Sequence, residues 1–114
     1  MDSSRKKELT AAYRQREVVG GVYAIRCQAT NRKMLEPTVD LAGAKNRFAF
    51  SAQTGLCPHH LLKADWQEHG AASFYFDELE TLAKKEEETM ADYKAAVEVL
   101  CDMLRKEIPA EELY

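Results

Sequence analysis

The stretch from Gly20 to Phe50 constrains this chain most, because it passes from one structural periodicity to another with a turn between. Gly20-Gly21 interrupts whatever precedes it, and the next residues alternate. Val22, Ala24 and Arg26 fall on one side, and Tyr23, Ile25 and Cys27 on the other, which is the period of a strand. Ala29-Thr30-Asn31-Arg32 supplies a turn, and Lys33 to Glu36 is long enough to return as a second antiparallel strand. Pro37, which has no N–H for a strand ladder, is expected to stop it. Thr38 or Asp40 can then cap a helix carrying Leu41, Ala44, Lys45, Phe48 and Ala52, and Gly55 ends it. A hairpin running straight into a helix needs that helix to cover one of its faces.

The remainder supplies the other covering elements. Upstream, Ser3 or Ser4 can cap a short helix through about Arg16, with Leu9, Ala12 and Tyr13 at helical spacing, read as a docking arm over residues 1–17. Downstream, Pro58 suits a first helical turn, and Leu61, Leu62, Asp65 and Trp66 follow before Gly70 closes a second short helix. Ser73-Phe74-Tyr75-Phe76-Asp77 fits a third strand, and Lys84 to Glu88 a solvated linker or helix start. Met90, Tyr93, Val97, Leu100, Leu104 and Ile108 repeat at three and four residues, which predicts an amphipathic helix. Thr89 and Asp92 resemble a capping box at its start, and Pro109 ends it. The expected fold is α/β of the α+β type, in the order α-β-β-α-α-β-α. It is a small three-stranded antiparallel sheet flanked by helices, one domain over 1–114 with its core at about 18–108.

Composition narrows the class. No apolar run approaches the roughly 20 residues of a membrane span, and Ser3 to Glu8 is too polar to open a signal peptide, so a cytoplasmic protein without membrane contact is expected. Cys27, Cys57 and Cys101 are far apart and form no C-x-x-C pair, which favours reduced, mostly buried thiols. His59, His60 and His69 lack metal-ligand spacing, and no metal ligands are assigned. The net charge of −3 hides an asymmetry: residues 1–66 carry 11 Lys and Arg against 6 Asp and Glu, whereas residues 67–114 carry 5 against 13. A positive half beside a negative half can steer phosphate to one face.

These elements and residues resemble the GIY-YIG nuclease superfamily. Gly21-Val22-Tyr23 stands where the first signature triplet belongs, Asn31 to Glu36 resembles the hairpin return, and Asp40-Leu41 resembles the Asn-Leu that opens the family's first helix. The second half is similar to short bacterial members, through His59, Leu61-Leu62, Ala64-Asp65-Trp66, Glu68, Gly70, Ser73 to Phe76 and Glu78-Leu79-Glu80. The likeness runs from about Gly20 to Ile108, and Asp-Trp-x-Glu-x-Gly is its most specific part.

The resemblance implies metal-assisted phosphodiester hydrolysis. Tyrosines would manage the proton of the attacking water, an arginine would offset phosphate charge, and a glutamate would hold one divalent ion. Of these positions Tyr23 alone is retained. The second tyrosine falls at Leu35, the glycine after it at Pro37, the arginine at Ala44 and the metal-holding glutamate at about Cys101.

A degenerate nuclease-like domain acting as a nucleic-acid-binding or regulatory module is therefore expected. Tyr23 and Arg47 are the surviving catalytic candidates, and Arg26, Lys33, Lys45 and Arg47 the nucleic-acid contacts. DNA is the candidate partner and no cofactor is expected. One alternative is an active endonuclease using Mg²⁺ or Mn²⁺ with Tyr23, Arg47 and either Asp102 or Glu98. Another is a protein-binding or homodimerising module.

Overall fold

The computed structural model describes residues 19–114; the expected docking arm over 1–17 lies outside the described residues. Three strands, β1 (Gly20–Cys27), β2 (Lys33–Thr38) and β3 (Phe74–Leu82), form one antiparallel sheet in the order β2-β1-β3. Three helices accompany it: α1 (Leu41–Thr54), α2 (Lys63–His69) and α3 (Met90–Lys106). Placing β1 in the middle explains its nearly continuous burial, since both of its edges are paired and both of its faces covered.

Alternation along β1 divides the core in two. Val22 and Ala24 join Leu35 and Cys101 beneath α3, with Leu100, Leu104 and Ile108 packed around them. On the opposite face Ile25 and Cys27 join Met34, Phe48, Leu62, Trp66 and Phe74 beneath α1 and α2. Trp66 also donates its indole N–H to the Gly55 carbonyl at 3.0 Å, tying α2 to the end of α1.

The glycine pair is required by close approach. A Cβ on Gly21 would lie 2.0 Å from the Glu80 carbonyl oxygen, and one on Gly20 would lie 2.6 Å from both the Thr38 carbonyl and the Tyr93 hydroxyl. Tyr93 is fully buried at the start of α3, where its oxygen accepts the Gly20 N–H at 2.6 Å and its hydroxyl donates to the Leu82 carbonyl. One phenol thereby ties the start of β1 to the end of β3, satisfying two backbone groups beyond the sheet ladder.

Several local expectations change. Strand β2 continues through Pro37 to Thr38, because β2 is an edge strand and a missing N–H on its free side breaks no ladder bond. Strand β3 runs on to Leu82, past a bulge opposite Val22 and Tyr23. Beyond α3 the chain returns to the sheet: Leu113 bridges Lys33 in parallel, and Tyr114 donates its N–H to the Lys33 carbonyl at 3.1 Å. Arg32 lies 4.5 Å over the Tyr114 ring, and the Tyr114 hydroxyl donates to Asp65 at 2.6 Å. This tail extends the ordered packing beyond the expected end at residue 108. No helix among the described residues is long and apolar enough to cross a membrane.

Candidate nucleic-acid interface

The face of the sheet carrying Tyr23 opens into a cleft of about 570 Å³ between the hairpin, α1 and the loop that follows α1. Register decides which hairpin side chains reach it. Tyr23 stands directly opposite Glu36, and Ile25 opposite Met34, so all four point to the same side. Helix α1 adds Ala44, Arg47 and Phe48 from successive turns, with Phe50 at the rim, and the following loop adds Pro58 and His59. Asp40 holds the start of α1 by accepting the Gly43 N–H at 2.9 Å. A Cβ on Gly43 would lie 3.4 Å from the Arg47 Nη1, so the guanidinium folds back toward the beginning of its own helix.

Each polar group in the cleft has a distinct environment. Tyr23 is half-buried and stacks on Phe76 with ring centroids 4.7 Å apart. Burial pushes its hydroxyl above the ordinary tyrosine range, the Glu36 carboxylate pushes it further, and the Arg47 charge opposes the shift. The phenol therefore keeps its proton at neutral pH. His59 accepts the Leu61 N–H on Nδ1 at 3.1 Å, which places the proton of the neutral ring on Nε2, 3.9 Å from Glu36. Arg47 is exposed and has no ion-pair partner among the described residues.

The sequence-predicted residues divide accordingly. Tyr23 and Arg47 share the cleft. Lys45 is exposed on α1 but does not line it. Arg26 is a correction: it donates to Asp77 at 2.6 Å on the face opposite Tyr23. Lys33 is a second correction, since its side chain is 10% exposed and its ammonium is paired with Glu112 at 3.2 Å. Both cations are held in ion pairs, and neither lines the cleft. Leu35 does not occupy the position facing Tyr23 either; it is buried under α3, and the β2 side chains on Tyr23's face are Met34 and Glu36. Glu36, His59 and Phe50 are among the cleft residues that sequence reasoning left unassigned. For Glu36 the available signal was two-residue alternation counted back across the turn.

The acids expected from the last helix do not converge here. Cys101 is 1% exposed among Val22, Ala24 and Leu35, and burial pushes its thiol up. Asp102 is exposed and paired with Arg105 at 3.1 Å, and Glu98 is exposed; neither lines the cleft. A divalent ion held from this helix, as the fold family implies, does not fit a buried thiol walled by aliphatic side chains. On α2, Asp65, Glu68 and His69 bring ligand atoms within 4.8 Å of one another, but Asp65 already accepts the Tyr114 hydroxyl.

A solved structure of the catalytic domain of the intron endonuclease I-TevI, in a glutamate-to-alanine mutant form, matches this architecture. The TM-score is 0.57 over 78% of this chain and 82% of that chain, with 18% sequence identity. The fold of this protein is thus GIY-YIG-like: a three-stranded antiparallel sheet with three helices. No protein-family model and no curated relative matches the sequence.

Proposed function

We propose that this domain binds nucleic acid through the Tyr23–Arg47 cleft without cleaving it. The observation that carries this reading is a guanidinium in the cleft, Arg47, with no ion-pair partner among the described residues, while Asp102 and Glu98 of α3 stay outside the cleft. Arg47 supplies the phosphate contact, and Tyr23 a protonated hydroxyl that can donate to a phosphate oxygen. Loss of the last-helix carboxylate, with Met34 and Glu36 in place of a second phenol, removes the groups that would stabilise a transition state. Losing one such stabilising group typically costs about 3 kcal/mol in barrier height. The test is incubation with single-stranded, branched and supercoiled DNA in the presence of Mg²⁺ or Mn²⁺. Retention without cleavage supports the reading, whereas metal-dependent cleavage abolished by Tyr23→Phe overturns it.

A second reading, a protein-binding or self-associating module, is favoured by Val99 and Met103. They lie one turn apart on α3 and are 58% and 59% exposed. It predicts concentration-dependent sedimentation that Met103→Glu removes.

A further inference from the structure

We infer that the cleft takes an unpaired nucleotide, with its base inside against Glu36 and its phosphate outside on Arg47, so that the preferred ligand is a single strand and not a duplex. This inference rests on the nucleic-acid-binding reading and goes further, to the class of ligand and the group that reads it.

Charge placement is the first argument. A duplex contact draws its affinity from several cations spaced along the phosphates. Here Arg26, Lys33 and Arg105 are paired with Asp77, Glu112 and Asp102, and Lys45, exposed on α1, lies outside the cleft. In the cleft Arg47 is the only lysine or arginine among the described lining residues, and Glu36 lies on the strand side of the same cavity. A phosphate placed beside Glu36 would meet a carboxylate. A base edge bearing an amino group would meet an acceptor instead, because a carboxylate accepts from the exocyclic amine of cytosine. The same polarity suits the amine of adenine.

Shape is the second. The cavity floor is apolar, built from Ile25, Met34, Ala44 and Phe48, and its volume lies within the range of small-molecule clefts. Phe50 stands at the rim with 61% of its surface exposed, one turn beyond Arg47 on α1. An exposed aromatic beside a guanidinium is the pair that single-strand binders use, the ring stacking on a base while the cation tracks the backbone. A base inside a duplex has both π-faces covered by its neighbours, so it cannot stack on Phe50, and one of its two amino hydrogens is taken by pairing, so it reaches Glu36 only from the major groove.

The experiment is a fluorescence-anisotropy titration of the whole chain with labelled oligodeoxycytidylate, oligodeoxythymidylate and a hairpin duplex, repeated with Glu36→Gln and Phe50→Ala. Both positions are solvent-accessible, and thermal melting verifies that each variant folds. The inference predicts cytidylate binding about tenfold or more tighter than thymidylate, a contrast that Glu36→Gln abolishes. It predicts weaker binding of the duplex, and loss of affinity for both single strands in Phe50→Ala. Equal binding of all three ligands, or Glu36→Gln tightening every ligand alike, would overturn the base-reading role and leave phosphate binding intact. Failure to bind any of the three at low salt would overturn the nucleic-acid reading itself.

Discussion

Tyr23 stands directly opposite Glu36 across the β1–β2 pair, so a phenol and a carboxylate project into one cleft from neighbouring strands. Their coupling has a measurable sign. Glu36→Gln removes a negative charge that disfavours the phenolate, and the Tyr23 pKa is expected to fall; Arg47→Ala removes an opposing positive charge, and it is expected to rise. A pH titration followed by NMR of labelled tyrosine carbons separates the two. Shifts in the opposite directions, or none, would contradict the shared cleft.

Tyr93 tests the fold itself. Replacing it with phenylalanine leaves the Gly20 N–H and the Leu82 carbonyl without their buried partner. The expected loss is about 1–3 kcal/mol, the cost of stranding buried polar groups. Urea unfolding of Tyr93→Phe checks this, and an unchanged midpoint would show that the phenol contributes no net stability.

The C-terminal contact predicts an alkaline limit. Burial and the hydrogen bond to Asp65 both push the Tyr114 hydroxyl above its ordinary 10.0. Below the unfolded value both states keep the proton, and the contribution to stability is complete. As pH rises past about 10 the unfolded chain ionises first, so stability falls with pH. Urea unfolding between about pH 8 and pH 11 should show this slope, and Tyr114→Phe should flatten it.

Cys101 offers a test of degeneracy. Placing glutamate there puts a carboxylate at a position 1% exposed, against Val22, Ala24 and Leu35. The expectation is a loss of about 2 kcal/mol or more in stability and no gain of cleavage. Thermal melting together with a plasmid-nicking assay distinguishes this from the contrary outcome, a stable variant that cuts DNA with Mg²⁺.

Much of the architecture was legible because its signals are local. Alternation from Val22 to Cys27 sorted the two faces of β1 as the structure does, and the spacing of Tyr93, Val97 and Leu104 placed α3 against the sheet. What was not legible depends on distant partners. Arg26 meets Asp77 across 51 residues and Lys33 meets Glu112 across 79, so both looked like free cations in the sequence. The tail at Leu113 and Tyr114 carries no periodic pattern, and its seat on β2 follows from an edge that only the folded sheet exposes. Cleft assignment failed at Leu35 by one residue, and in a strand one residue is a change of face.

The most direct measurement of the central claim is the salt dependence of single-strand binding for the native chain and for Arg47→Ala. If Arg47 is the phosphate contact at the cleft, the native protein binds more weakly as salt rises. The variant loses affinity and its log–log slope shrinks by about 0.7, the share of one phosphate contact on a single strand. Binding with the same slope in both proteins, or no salt-dependent binding in either, would contradict it.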